Sequence, residues 1–143
     1  MNISGRTKLF PIIGDPVAGV VSPPAVNAWF QSNAIDACMM PLTIPASNIT
    51  GFWDMLRASN TFLGCSITYP HKQSAYAQVD TMTERATRLG ALNTVRRADD
   101  GSLCGDATDG TALLQAIGQA GARVNGACVY IAGAWWRRWP CHH

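Results

Sequence analysis

Five polar side chains sit at the ends of apolar runs that read as strands: Ser22, Thr68, Lys72, Asn93 and Asp109. They fall in four short segments: Gly14-Asp15-Pro16-Val17-Ala18-Gly19-Val20-Val21-Ser22-Pro23, Ser66-Ile67-Thr68-Tyr69-Pro70-His71-Lys72, Gly90-Ala91-Leu92-Asn93-Thr94-Val95 and Gly105-Asp106-Ala107-Thr108-Asp109-Gly110. Two hydroxyls, an amide, a cation and a carboxylate suit one small polar ligand. In an open α/β sheet, loops at the carboxyl ends of strands form the ligand crevice, so these groups can converge there. Taken singly, each also has a structural role open to it. Ser22 can cap a helix before Pro23-Pro24, Thr68 and Asn93 can satisfy strand-end backbone groups, Lys72 can be a solvated cation and Asp109 an N-cap.

The elements that must position them alternate. Lys8-Leu9-Phe10-Pro11-Ile12-Ile13 reads as a strand ending at the turn Gly14-Asp15-Pro16. Pro23-Pro24 opens a segment with Val26, Trp29 and Phe30 at helical spacing. Cys38 to Ile44 reads as a second strand, where Pro41 marks an edge or an irregularity. Ser47 is the expected cap of a helix carrying Ile49, Phe52, Trp53 and Leu56. Phe62 to Tyr69 is a third strand, and Pro70 is expected to start a short helix. Thr81-x-x-Glu84 fits a capping box, with Ala86 and Leu89 behind it and Gly90 as the stop. Segments 93–97 and 102–105 flank Asp99-Asp100-Gly101 as a hairpin. Thr108 or Asp109 caps a helix through Leu113, Leu114 and Ile117 that ends near Gly118 or Gly121. Ala127 to Ala132 reads as a buried strand running into a glycine turn. This alternation predicts an α/β fold: a mainly parallel sheet flanked by helices, in three layers.

Composition narrows the function classes. Hydrophobic residues make up 48% and charged residues 14%, too apolar for a disordered chain. No apolar run reaches the roughly 18 residues of a spanning helix, so no membrane partner is expected. No apolar stretch of signal-peptide length follows the first basic residues, so a cytoplasmic location is expected. The net charge of +2 resides in Arg137 and Arg138; the rest of the chain is balanced, with no basic footprint for nucleic acid. Five cysteines without a C-x-x-C pair read as small buried hydrophobes in a reducing compartment, not as a disulfide framework or a metal site.

Taken in order, the four segments resemble the shikimate dehydrogenase family, over residues 8–134. Its members carry a G-N-P-x-x-H-S-x-S-P loop, an N-V-T-x-P-x-K strand and loop, a G-A-x-N-T segment and a G-x-N-T-D-G segment at similar separations. The resemblance implies reduction of 3-dehydroshikimate to shikimate with NADP as cofactor, a step toward the aromatic amino acids. It implies a substrate-binding half followed by a Rossmann half. Lys72 and Asp109 match the family's catalytic pair. Reduction of a ketone builds negative charge on its oxygen, which an ammonium can stabilise and protonate while a carboxylate orients the ammonium. Ser22, Thr68 and Asn93 match substrate-binding positions, and Ser66 stands where the family has an asparagine. His71 occupies a variable position and is read as an exposed neighbour of the site.

Some residues depart from the family pattern. Val20 replaces the first serine of the loop, Gly19 the histidine before it, and Ala107 the asparagine of N-T-D-G. Val20 removes a hydroxyl and Ala107 an amide from a site built to hydrogen-bond a polyol, which shifts substrate choice. Quinate or another cyclitol carboxylate is the alternative substrate; a non-catalytic binding module, or a remnant without function, is the alternative role.

The resemblance divides the chain into a substrate-binding domain over 1–107, a linker helix and first nucleotide-domain strand over 108–134, and an aberrant tail over 135–143. Gly133 and Ala134 match the start of the cofactor's glycine-rich turn. The next residues are Trp135-Trp136-Arg137-Arg138-Trp139-Pro140-Cys141-His142-His143. Tryptophan has a single codon, TGG. Deleting one base at the end of the Ala134 codon turns both following codons into glycine and permits Gly-Ala-Gly-Gly-Ala-Gly-Gly-Arg-Ala-Thr. A one-base insertion is therefore the expected origin of the tail, and the chain as written is expected to bind NADP poorly and to lack activity alone. A Trp/Arg membrane anchor and a Cys141-His142-His143 metal site fit these nine residues less well.

Overall fold

The computed structural model describes residues 3–128 and 130. It divides into two compact units, Met1–Asp109 and Gly110–His143. In the first unit the predicted opening strand is two short ones, β1 (Lys8–Leu9) and β2 (Ile12–Gly14), interrupted at Phe10-Pro11. Helix α1 (Ser22–Ser32) follows, then β3 (Ala37–Cys38) and β4 (Pro41–Thr43). A 3-10 turn (Ala46–Asn48) leads into α2 (Ile49–Ala58), then β5 (Gly64–Ile67). A second 3-10 turn (Ser74–Gln78) precedes β6 (Thr81–Met82), α3 (Glu84–Leu89), β7 (Thr94–Arg97) and β8 (Leu103–Asp106). Helix α4 (Asp109–Gln119) begins at the division between the units.

β1 and β3 form a parallel pair. The six-stranded sheet has the order β4-β2-β5-β7-β8-β6. Its β2–β4, β2–β5 and β6–β8 pairings are parallel; β5–β7 and β7–β8 are antiparallel. Pro41 opens β4 at the sheet's edge, where a missing N–H costs no ladder bond. The Asp99–Gly101 turn joins β7 to β8 as expected.

The sheet is covered on both faces. Successive strand residues point to opposite sides. Ile12 packs with Phe30 of α1, Ala37 and Met39, while Ile13 joins the larger cluster containing Phe52, Trp53 and Leu56 of α2 and Ala86 of α3. Each fully buried Leu or Ile contributes about 1.5–3 kcal/mol. Gly64 has φ +146°, and a Cβ there would fall on the Val95 carbonyl of the neighbouring strand, so only glycine fits.

Four local expectations need correction. Thr81 lies in β6 and does not cap α3. The cap is Thr83, whose Oγ1 accepts from Ala86 N at 3.4 Å, because the chain leaves the sheet only after Met82. Ser47 does not cap α2; it sits inside the preceding 3-10 turn and donates to Asn48 Oδ1 at 2.7 Å. Pro70 starts no helix, since residues 69–73 form turns and the 3-10 segment begins at Ser74. Ser22 does not cap α1; it is already the first helical residue, after Val21. Gly90 does end α3, in the left-handed conformation with φ 60°.

In the second unit α4 continues to Gln119, with Leu113, Leu114 and Ile117 exposed. Of the strand expected over 127–132, Ala127, Cys128 and Tyr130 are not in a strand, and the other three residues lie outside the described residues. Gly133, Ala134 and the tail 135–143 also lie outside them.

Candidate functional site

The strand directions bring distant loops to one end of the sheet. β2, β4, β5, β6 and β8 run the same way and β7 runs opposite. The carboxyl ends of β2, β5, β6 and β8 and the start of β7 therefore share that end. Backbone bonds continue past the strands: Thr68 N donates to Ile13 O at 2.8 Å, Ile67 N to Asn93 O at 2.8 Å and Asn93 N to Asp106 O at 3.0 Å. Gly14 makes the close approach possible. A Cβ there would collide with the Thr68 side chain and lie 2.8 Å from the Tyr69 carbonyl oxygen.

The polar cluster centres on Asp109. Lys72 Nζ donates to its Oδ2 at 2.5 Å and Asn93 Nδ2 donates to its Oδ1 at 2.5 Å. Each carboxylate oxygen thus has a donor. Asn93 Oδ1 accepts from Thr108 N at 2.7 Å, and Nδ2 also donates to Thr108 Oγ1 at 3.0 Å. Leu92 N donates to Lys72 O at 2.8 Å, tying the Lys72 loop to the segment that carries Asn93. The side chains remain open to a ligand: Lys72 is 31% exposed and Asp109 64%. An ammonium has three donors, and Asp109 uses one.

The remaining candidates are placed as follows. Ser66 Oγ donates to Asn93 O at 3.3 Å. Thr68 follows β5 directly, with its backbone N–H on Ile13. Ser22 Oγ is enclosed, with no hydrogen-bond partner among the described residues. Val20 packs against the apolar cluster of Ile12, Phe30, Ala37 and Met39, and offers no polar atom to a ligand from its side chain. Among the described residues no group of side chains could hold a metal ion, and no helix is long and apolar enough to cross a membrane.

His71 corrects an expectation. It is 2% exposed, not an exposed neighbour. Its Nε2 lies 2.7 Å from Ile44 O; a carbonyl only accepts, so Nε2 carries the proton. His71 N donates to Thr68 O at 3.0 Å, and Ile44 N donates to Gly14 O at 2.9 Å. The turn folds back so that residue 71 satisfies the end of the edge strand and residue 72 faces outward. An aromatic, polar residue between two site residues is ambiguous in sequence; only the fold-back decides it.

Sequence reasoning also missed a second polar cluster. Asp106 accepts from Thr83 Oγ1 at 2.5 Å, Arg85 Nε at 2.6 Å, Ala107 N at 2.7 Å and Arg85 Nη2. Arg85 and these further donors hold its carboxyl well below the usual carboxylate range. The signal available in sequence was an aspartate beside Thr108-Asp109. Its partners Arg85 and Thr83 are 21 and 23 positions away, and only the β6–β8 pairing joins them.

The family model for the shikimate dehydrogenase substrate binding domain matches residues 12–95. A shikimate dehydrogenase (NADP(+)) from Rubrobacter xylanophilus is 39% identical over 132 residues, covering 92% of this chain and 46% of its own. The crystal structure of shikimate 5-dehydrogenase from Listeria monocytogenes, in complex with shikimate and NAD, matches with a TM-score of 0.82 at 28% identity, over 88% of this chain and 43% of that one. Shikimate 5-dehydrogenase from Thermus thermophilus, in complex with NADP(H) and shikimate, matches with a TM-score of 0.76 at 29% identity, over 82% and 44%. The chain spans a little under half the length of the curated relative it matches. On the match over residues 12–95, the chain belongs to the shikimate dehydrogenase family.

Proposed function

We propose that this chain is the substrate-binding half of an NADP-dependent shikimate dehydrogenase, which reduces 3-dehydroshikimate to shikimate. The observation that carries this reading is the cluster in which Lys72 and Asn93 each donate to one oxygen of Asp109 at 2.5 Å. Lys72, with donors to spare, hydrogen-bonds the ketone oxygen and gives it a proton as negative charge develops there. Asp109 keeps the ammonium oriented and takes a hydrogen bond from a neighbouring substrate hydroxyl. Asn93 holds Asp109, and its fixed rotamer lowers the cost of ordering the site when substrate arrives. Ser22 meets the substrate carboxylate; Thr68 and Ser66 line the ring's polar edge.

The dinucleotide is a different matter. Gly133 and Ala134 are followed by Trp135 and Trp136, and two indoles do not fit where a backbone must approach a pyrophosphate. The chemistry assigned to this chain is therefore binding, orientation and proton transfer at the substrate. The domain division follows: substrate binding over 1–107, a linker helix and the first nucleotide-domain strand over 108–134, and a foreign tail over 135–143. With Val20 turned into the apolar cluster, Ser22 is the remaining hydroxyl of the carboxylate cradle. That weakens carboxylate recognition and keeps quinate as a second candidate substrate.

Titration calorimetry of the purified chain with shikimate and with quinate tests this. Heat that saturates with shikimate is expected, without substrate-dependent oxidation of NADPH by the chain alone. No heat from either compound at millimolar concentration overturns the reading.

A further inference from the structure

Asp106 gathers more hydrogen bonds than a loop carboxylate needs for its own sake. Two come from Arg85, at the start of α3, one from Thr83, the cap of that helix, and one from Ala107 N. Thr83 N also donates to Gly105 O at 3.1 Å, so the mouth of α3 is stitched to the end of β8. From Asp106 the chain passes through Ala107 and Thr108 to Asp109. Thr108, through its N–H and its Oγ1, and Asp109, through Oδ1, are the two residues that the Asn93 side chain holds. A shift in the 106–108 turn therefore moves both partners of Asn93 at once. The Arg85–Asp106 pair is half-shielded, with side-chain exposures of 47% and 21%, and the two-pronged guanidinium geometry fixes direction as well as distance.

We propose that Arg85 is a positioning residue: through Asp106 it sets the 106–108 turn so that Asp109 meets Lys72 and Asn93. The Arg85 side chain spends its hydrogen bonds and its ion pair on Asp106, not on Lys72 or Asp109. The inference rests on reading Lys72 and Asp109 as the site, but its test does not need a ligand. Asp106 stays ionised down to unusually low pH beside Arg85, so the clamp is in force at neutral pH.

The test uses the 143-residue chain and the variants Arg85→Met, Arg85→Lys and Asp106→Asn. Amide exchange is followed by NMR at Thr108 N–H, together with the Asn93 side-chain amide signals. In Arg85→Met, exchange at Thr108 is expected to rise by at least about tenfold, the factor that losing one charge-assisted hydrogen bond supplies. The Asn93 side-chain signals shift, and Arg85→Lys restores part of both. If Arg85→Met does not fold, the milder Arg85→Lys and Asp106→Asn must show the same change in smaller measure. Unchanged Thr108 exchange and Asn93 signals, with only a lower melting temperature, overturn the proposal and leave Arg85 as a helix stabiliser. Shikimate affinity separates the two readings: a parent chain that ignores shikimate while its Thr108 amide responds to Arg85→Met keeps the clamp and removes the substrate assignment.

Discussion

Replacing Lys72 by methionine removes the ammonium but keeps most of the stem. In the structure the Lys72 side chain is 31% exposed and its partner Asp109 is 64% exposed. An ion pair this open to water contributes about 0–1 kcal/mol, since screening and side-chain entropy offset the attraction. The backbone link is untouched, because Leu92 N donates to Lys72 O, and Asp109 keeps its bond from Asn93. The urea midpoint of Lys72→Met should therefore fall by less than about 0.7 M at a slope of about 1.5 kcal/mol per M. Ligand binding should respond far more. A charge-assisted hydrogen bond to a ligand oxygen is worth about 1.5–3 kcal/mol, which is roughly ten- to hundredfold in Kd. Urea unfolding followed by circular dichroism gives the first quantity and calorimetry with shikimate the second. A variant that loses more than about 2 kcal/mol of stability while binding shikimate as before would contradict both expectations, because it would make Lys72 a structural cation.

Two further outcomes are expected. His71→Phe keeps a ring in the buried site but leaves Ile44 O without its donor, so stability should fall by about 1–3 kcal/mol in urea unfolding. An unchanged midpoint would mean that water replaces the imidazole. For Asp106 the folded carboxyl is depressed by Arg85 and its other donors, so its contribution to stability is present above the ordinary carboxylate range and is lost as pH falls through the depressed value. Asp106→Asn should therefore be less stable than the parent at pH 7, with the gap narrowing below about pH 4; a gap that is constant with pH would show that the charge plays no part.

The candidate site residues are legible because each sits in a short segment whose residue types are demanding in themselves. Ser22, Thr68, Lys72, Asn93 and Asp109 stand out without any geometry, and the alternation of apolar runs points to the α/β class. Less is legible at the element ends. Thr81 and Thr83 are both plausible caps two residues apart, and the choice depends on how long β6 stays paired to β8. The run from Lys8 to Ile13 reads as one strand, but it pairs with two successive segments and breaks at Phe10-Pro11.

Local sequence dictates the layers and the site's inventory, because hydrophobic spacing and turn residues act over a few neighbours. It also exposes the foreign composition of residues 135–143. Which polar group holds which is settled at the level of the packed domain. Reversing β7 between β5 and β8 places Asn93 beside Asp109, 16 positions along the chain. The β6–β8 pairing places Arg85 on Asp106, 21 positions away. The fold-back after β5 sends His71 inward to Ile44 and leaves Lys72 facing out. These contacts depend on strand order and direction. Those are set by the burial of both sheet faces at once, a property of the whole packed domain that no local window of residues contains.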